Sequence, residues 1–188
     1  MSAAASHWQL HSAVRRVKNE WVIAYPTEAV FGLGCDPGSP RAVARLLELK
    51  NRPWQKGLIL LVDDLEKVRH WLQPLSAAQR QRLDCSWPGP ITWLLPAADH
   101  CPDWIRGRHD TLAVRISAHP LVRELCGRLD TPLVSTSANR SGQQPARSVL
   151  GVRIRFGTRV DYVLPGTTGN RHRPTSIRDL VSGKPVRK

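Results

Sequence analysis

No apolar run in the 188 residues approaches the roughly 20 needed to cross a bilayer, and residues 1–10 contain no signal-peptide-like stretch. Neither a membrane-spanning helix nor an export signal is expected, so the chain is expected in the cytoplasm. Cysteine is sparse: Cys35, Cys85, Cys101 and Cys126 form no C-x-x-C pair, which argues against a zinc ribbon or a dithiol redox motif and leaves free, mostly buried thiols. The G-x-x-x-x-G-K-[ST] phosphate loop is absent, Gly32-Leu33-Gly34 fails the G-x-G-x-x-G fingerprint at its last glycine, and no H-E-x-x-H occurs. A P-loop enzyme, a dinucleotide-dependent dehydrogenase and a zinc hydrolase are therefore disfavoured, and no protein-held metal is expected. There are only two Phe and two Tyr; the seven Trp are scattered beside apolar residues and are expected in or at the edge of the core rather than as a base-stacking platform.

Acidic residues are also scarce. Against 15 Asp and Glu stand 28 Lys and Arg, a formal charge of +13, and 22 of the cations are Arg. Arginine grips planar oxyanions with two prongs, which lysine cannot do. The excess leans to the C-terminal half: residues 1–94 carry +4 and residues 95–188 carry +9. A polyanionic partner, a nucleotide or an RNA, fits this balance. With 41% hydrophobic residues the chain has enough to build a proper core, and one domain over residues 6–188 is expected.

Periodicity gives alternating elements. A capping Ser6 precedes apolar positions at Leu10, Val14 and Val17, one helical face, and Ser39-Pro40 opens a second helix with Val43, Leu46 and Leu47 as its stripe up to Lys50. Further helices are predicted at 76–83, 119–129 and 148–156, and strands at 21–25, 57–62, 91–95, 112–116, 132–134, 162–164 and 176–181. Such alternation predicts an α/β fold: a single domain with a twisted, mixed, partly parallel sheet flanked by helices.

Chemistry is expected in the loops at strand ends. Tyr25-Pro26-Thr27-Glu28-Ala29-Val30-Phe31-Gly32-Leu33-Gly34 reads as a strand-to-helix loop that exposes a hydroxyl and a carboxylate before two glycines that admit close approach of a ligand. Lys50 and Arg52 end a helix that Pro53 stops. Trp87-Pro88-Gly89-Pro90 reads as a rigid turn shaping a pocket wall. Arg115 interrupts the apolar strand Leu112-Ala113-Val114-Arg115-Ile116, and a charge there needs a carboxylate or a bound anion as partner. Residues 133–142, Leu-Val-Ser-Thr-Ser-Ala-Asn-Arg-Ser-Gly, gather small donors and acceptors after a short strand, as either an ordinary turn or a wall for an anionic or polyhydroxyl ligand.

In this order and spacing, P-T-E at 26–28, Lys50-Asn51-Arg52-Pro53, Trp-Pro-Gly-Pro-Ile-Thr at 87–92, Leu-Ala-Val-Arg-Ile with His119-Pro120, and Ser-Thr-Ser-Ala-Asn-Arg-Ser-Gly at 135–142 resemble the YrdC-like family, and in length its short bacterial TsaC-type branch. The resemblance runs from about Ser6 to Val181 and leaves no residues for the extra C-terminal domain of longer members. It implies a YrdC-like fold with an open basic cavity and a nucleotidyltransferase that makes L-threonylcarbamoyladenylate and pyrophosphate from L-threonine, bicarbonate and ATP. It implies use of that product for N6-threonylcarbamoylation of adenosine 37 in ANN-decoding tRNAs, through partner proteins of the transfer machinery, with Mg²⁺ carried by ATP and the enzyme a monomer. Carried over by position, Lys50, Arg52, Thr111, Ser137 and Asn139 would hold ATP, while Thr27, Arg115, Ser135 and Ser176 would hold threonine, Arg115 gripping its carboxylate. Ala29 departs from the family's second Thr, Lys56-Gly57 from a common Asn-Pro, and Thr175-Ser176-Ile177-Arg178 from a usual Glu-Ser-Thr-Val.

Two rival functions remain open at this level. The basic surface alone suits a protein that binds double-stranded RNA or tRNA in RNA or ribosome maturation, and the same motifs suit a carbamoyl-transferring domain detached from a larger maturation enzyme.

Overall fold

The computed structural model describes residues 5–169 and 175–187. Helix α1 (His7–Lys18) starts from a Ser6 capping box with Gln9 and buries Leu10, Ala13, Val14 and Val17. Helix α2 (Pro40–Lys50) starts from Ser39, whose hydroxyl accepts from the Ala42 N–H, and has proline in its first turn. Helices α3 (Ala77–Asp84), α4 (Asp103–Arg106), α5 (Pro120–Gly127) and α6 (Val149–Phe156) complete the helical set. The strands are β1 (Ile23–Pro26), β2 (Phe31–Gly34), β3 (Ile59–Val62), β4 (Ile91–Pro96), β5 (Thr111–Ile116), β6 (Leu133–Ser137), β7 (Tyr162–Val163), β8 (Ser176–Asp179) and β9 (Pro185–Arg187).

They form one sheet in the order β7-β1-β2-β6-β3-β5-β4-β8-β9. The β1–β7, β3–β5 and β4–β8 pairs are parallel and the remaining neighbours antiparallel, so the sheet is mixed, as predicted. Two strands depart from the expected pattern. Strand β2 lies where a loop was predicted, because two glycines in four residues read as loop punctuation; here they serve packing. A Cβ at Gly34 would sit 2.4 Å from the Val134 carbonyl oxygen and 2.9 Å from the Tyr25 ring, so the glycine admits the neighbouring strand and the Tyr25 side chain rather than a ligand. Strand β9 extends the far edge beyond the predicted elements.

Side-chain alternation divides the core. Ala24, Leu60, Val62, Leu112, Val114 and Val134 face one cluster with residues of α2 and α6, whereas Ile23, Tyr25, Leu61 and Leu133 face the other with residues of α1 and α5. On that second face the cover is incomplete. Ile59, Ala113, Arg115, Ser135 and Ser137 share the parity of Leu61 and Leu133, yet they line an open cavity instead of a helix. The cavity is thus the uncovered remainder of a sheet face.

The expectation for tryptophan holds in part. Trp93 is buried and Trp71, Trp87 and Trp104 pack against the core, but Trp8, Trp21 and Trp54 are exposed. Trp8 lies off the buried face of α1, and Trp21 lies with its ring 5.6 Å from the Arg16 guanidinium. All four cysteines are free; three are buried and Cys85 is exposed. The Trp87-Pro88 turn, a cis peptide, does not line the cavity: its Trp87 indole donates to the Ile91 carbonyl and the Gly89 N–H to that of Ile116, tying the β4 entry to the end of β5.

Candidate functional site

The cavity has a volume of about 610 Å³, within the roughly 300–1,000 Å³ of small-molecule sites. Its floor is built on strands. Arg115 stands on β5, 6% exposed, and its Nη2 donates to Glu28 Oε2 at 3.0 Å. The other carboxylate oxygen of Glu28 accepts from the Ser117 hydroxyl at 2.7 Å, and that hydroxyl accepts in turn from the His119 N–H at 3.1 Å. Burial pushes the Glu28 carboxyl upward, but the Arg115 charge and the Ser117 hydrogen bond outweigh it and hold the group below the ordinary glutamate value. The Nε–H of Arg115 is buried and has no partner among the described residues. A desolvated guanidinium N–H without an acceptor is costly and marks a place for an anion's oxygen.

The P-T-E segment is therefore folded inward. Thr27 is buried, its hydroxyl donating to the Val30 carbonyl at 2.7 Å, and Glu28 is as buried as Thr27, contrary to the exposed carboxylate expected from sequence. The chain after β7 lies across this segment. The Gly169 N–H donates to the Thr27 carbonyl at 2.9 Å, and a Cβ at Gly169 would sit 2.7 Å from the Glu28 carbonyl oxygen. His119 Nε2 reaches the Thr167 carbonyl at 3.1 Å, fastening the same crossing segment.

The second wall is a loop. Ser137, at the end of β6, donates its hydroxyl to Asn139 Oδ1 at 2.5 Å, and the Asn139 amide donates to the carbonyls of Arg140 and Gln143. Behind this loop lies Lys50, 3% exposed, whose ammonium donates to the carbonyl of Ser137, the carbonyl of Asn139 at 2.8 Å and Asn139 Oδ1 at 3.5 Å. An ammonium has three N–H groups, and all three have acceptors in the loop. Burial, then the adjacent Arg52 charge, lowers Lys50 to about 8. Ser141 pins the loop from the other side, its N–H on the Lys50 carbonyl and its hydroxyl on that of Asn51, which makes it the turn-former expected.

Thr27, Arg52, Thr111, Arg115, Ser135, Ser137 and Asn139 all line the one cavity. Two predicted site residues do not. Lys50 faces the back of the 137–139 loop rather than the opening, a correction that follows from the carbonyls surrounding its ammonium. Ser176 lies between Thr175 and Ile177, both of which line the cavity, so alternation along β8 turns Ser176 to the other face. Sequence reasoning left out Glu28, Lys56, Arg106, His109, Thr136 and Arg147, which also line it. Glu28 was signalled by its place beside Thr27; the others come from separate parts of the chain, Arg106 from the end of α4 and Thr136 from β6 among them, whose convergence has no local signature. Arg52, Lys56, Arg106, Arg115 and Arg147 meet one carboxylate, Glu28, so the lining is strongly basic. Among the described residues no group of His, Cys, Asp or Glu gathers as metal ligands, and no helix is long and apolar enough to cross a membrane.

Comparison with known proteins places this geometry. The family model for the Sua5/YciO/YrdC domain, described as "Telomere recombination", matches residues 15–187. The threonylcarbamoyl-AMP synthase of Nitrosococcus oceani is 52% identical over 184 residues, covering 98% of this chain and 100% of its own. Its namesake from Yersinia enterocolitica is 49% identical over 189 residues, covering 100% and 99%. The crystal structure of P. abyssi Sua5 complexed with L-threonine superposes with a TM-score of 0.89 at 28% identity, over 97% of this chain and 54% of that one, so the chain spans about half of Sua5. The chain belongs to the Sua5/YciO/YrdC family.

Proposed function

We propose that the protein forms L-threonylcarbamoyladenylate and pyrophosphate from L-threonine, bicarbonate and ATP. The observation that carries this reading is a basic cavity with a buried, incompletely satisfied arginine at one end and a hydroxyl- and amide-bearing loop at the other, in a chain about half identical along its length to proteins named threonylcarbamoyl-AMP synthase. The threonine amine condenses with bicarbonate, releasing water, to give a carbamate. A carbamate oxygen then bonds to the α-phosphorus as the bond to the β-phosphate bridging oxygen breaks and pyrophosphate leaves. Such a reaction is governed by positioning and charge neutralisation rather than by a protein nucleophile.

In this reading Arg115 takes the threonine carboxylate, with Thr27 and Ser135 beside it. Arg52, Thr111, Ser137 and Asn139 serve ATP, and Lys50 contributes by holding the 137–139 loop in shape and adding charge behind it. Mg²⁺ enters with ATP as part of the substrate. A single domain over residues 6–188 acts as a monomer in the cytoplasm and passes the adenylate to partner proteins for N6-threonylcarbamoylation of adenosine 37 in ANN-decoding tRNAs. Direct contact with tRNA belongs to the exposed basic rim, Arg147 included, and not to the cavity floor.

Pure protein incubated with ATP, labelled threonine, bicarbonate and Mg²⁺ is expected to yield the labelled adenylate and pyrophosphate, each dependent on threonine. Yields no higher than those of an Arg52→Ala, Arg115→Ala double variant would defeat the proposal. RNA binding that survives those substitutions, falls steeply with salt and ignores ATP and threonine would favour the RNA-binding alternative.

A further inference from the structure

Among the described residues Glu28 is the only carboxylate lining the cavity, and both of its oxygens are engaged, one by Arg115 at 3.0 Å and the other by Ser117 at 2.7 Å. It is held from the main-chain side as well, where Gly169 packs against its backbone too closely for any side chain. This carboxylate is anchored at both oxygens, with its main chain packed behind it, and cannot swing toward a substrate without breaking a buried charged pair. Two consequences follow for an amino-acid substrate. A guanidinium is planar, so fixing Nη2 fixes the direction of every other N–H, including the buried Nε–H that has no partner. An unengaged carboxylate beside the amino group would favour the ammonium form, which cannot attack carbon; a carboxylate tied to Arg115 and Ser117 does not.

We infer that Glu28 is a positioning residue for the amino-acid substrate: it orients Arg115 so that the remaining edge of the guanidinium meets the substrate carboxylate, while its own charge is withheld from the substrate amine. Ser117 completes the device by holding the second oxygen and receiving the His119 N–H. The inference rests on the threonine-binding reading above and goes beyond it in assigning a task to a residue that makes no bond to substrate.

The test is calorimetric binding of L-threonine and of ATP to the full chain, with steady-state KM and kcat, for the wild type, Glu28→Gln and Ser117→Ala. Glu28→Gln is expected to weaken threonine on the order of tenfold, the cost of a misdirected charged hydrogen bond, while ATP affinity stays within about twofold. The loss should fall on KM for threonine more than on kcat. In an Arg115→Lys background the Glu28→Gln change should add nothing further to the loss, since the planar fork it orients is gone. If Glu28→Gln does not fold, Ser117→Ala, which leaves the ion pair in place, is expected to give the same threonine-selective loss at smaller size. Equal losses for threonine and ATP, or none for either in an active enzyme, would overturn the inference and leave the proposed function standing. A wild type that neither binds threonine nor releases threonine-dependent pyrophosphate would overturn both.

Discussion

The two walls of the cavity are built by opposite means. The Arg115 wall is built on strand residues: Arg115 on β5 and Ser135 on β6 are buried and paired with β3, and Glu28, buried in the turn between β1 and β2, is tied to Arg115. The 137–147 wall is a loop whose polar groups are mostly exposed and whose shape depends on Lys50 beneath it. A small zwitterion requires discrimination among close analogues, and buried, fixed partners provide it, because an analogue that leaves them unpaired incurs their desolvation cost. A polyphosphate brings several charges and needs many cations of modest individual effect. On the proposed reading, selectivity is expected from the floor and gross affinity from the loop wall.

The largest expected effect tests the floor. Arg115→Leu leaves the Glu28 carboxylate buried without its counter-charge, at a cost of about 3–5 kcal/mol in chemical unfolding, and threonine binding is lost. A drop below about 1 kcal/mol, inside the range of exposed pairs, would mean that the floor is no more rigid than the loop. Next comes Lys50→Ala, which strips the Ser137 and Asn139 carbonyls of their donor. About 1–3 kcal/mol is expected, with hydrogen exchange rising at Ala138 and Ser141, whose N–H groups bond to Phe31 and Lys50 carbonyls, and with ATP weakened more than threonine.

Both groups titrate below their ordinary values, so each adds stability as pH rises, and the two walls are separated by pH range: acid for Glu28, alkaline for Lys50. Glu28 titrates below its ordinary 4.5 in the fold, so its contribution is complete above that value and disappears as pH falls through the lowered one. The unfolding midpoint of Glu28→Gln should lack that part of the acid limb. Lys50 titrates at about 8 against an ordinary 10.5, so between these values the unfolded chain binds more protons and stability rises with pH. Lys50→Met should flatten that rise. Arg147→Ala, at an exposed rim position, is expected to change stability by less than about 0.5 kcal/mol while weakening ATP a few-fold and reducing the salt dependence of its binding. The smallest effect is that of Ser176→Ala, which should leave KM for threonine unchanged, whereas Thr175→Val on the cavity side should raise it.

Much of the floor was legible from the chain alone. An arginine in an apolar strand demanded a partner, and hydroxyls after a strand demanded a use; Arg115, Thr27 and Ser135 line one cavity accordingly. The direction of a side chain at a strand end was less legible, because one residue of register reverses it: Ser176 was carried over by position in the motif, and alternation along β8 turns it away from the cavity that Thr175 and Ile177 line. Lys50 was misplaced on different grounds: spacing showed a cation at a helix end but not the carbonyls that would surround it. Strand β2 escaped notice because its glycines answer to Tyr25 and Val134, contacts from elsewhere in the sequence.

The crossing of Gly169 over the P-T-E segment bears on how the protein is made. Thr27 and Glu28 precede their partners by long stretches of chain: Arg115 pairs with Glu28 from 87 positions later, and Gly169 closes on Thr27 from later still. A nascent chain therefore has no finished floor until Gly169 has emerged. A chain ended before Gly169 would thus lack the crossing that closes over Thr27 and Glu28, although most of the core residues precede it.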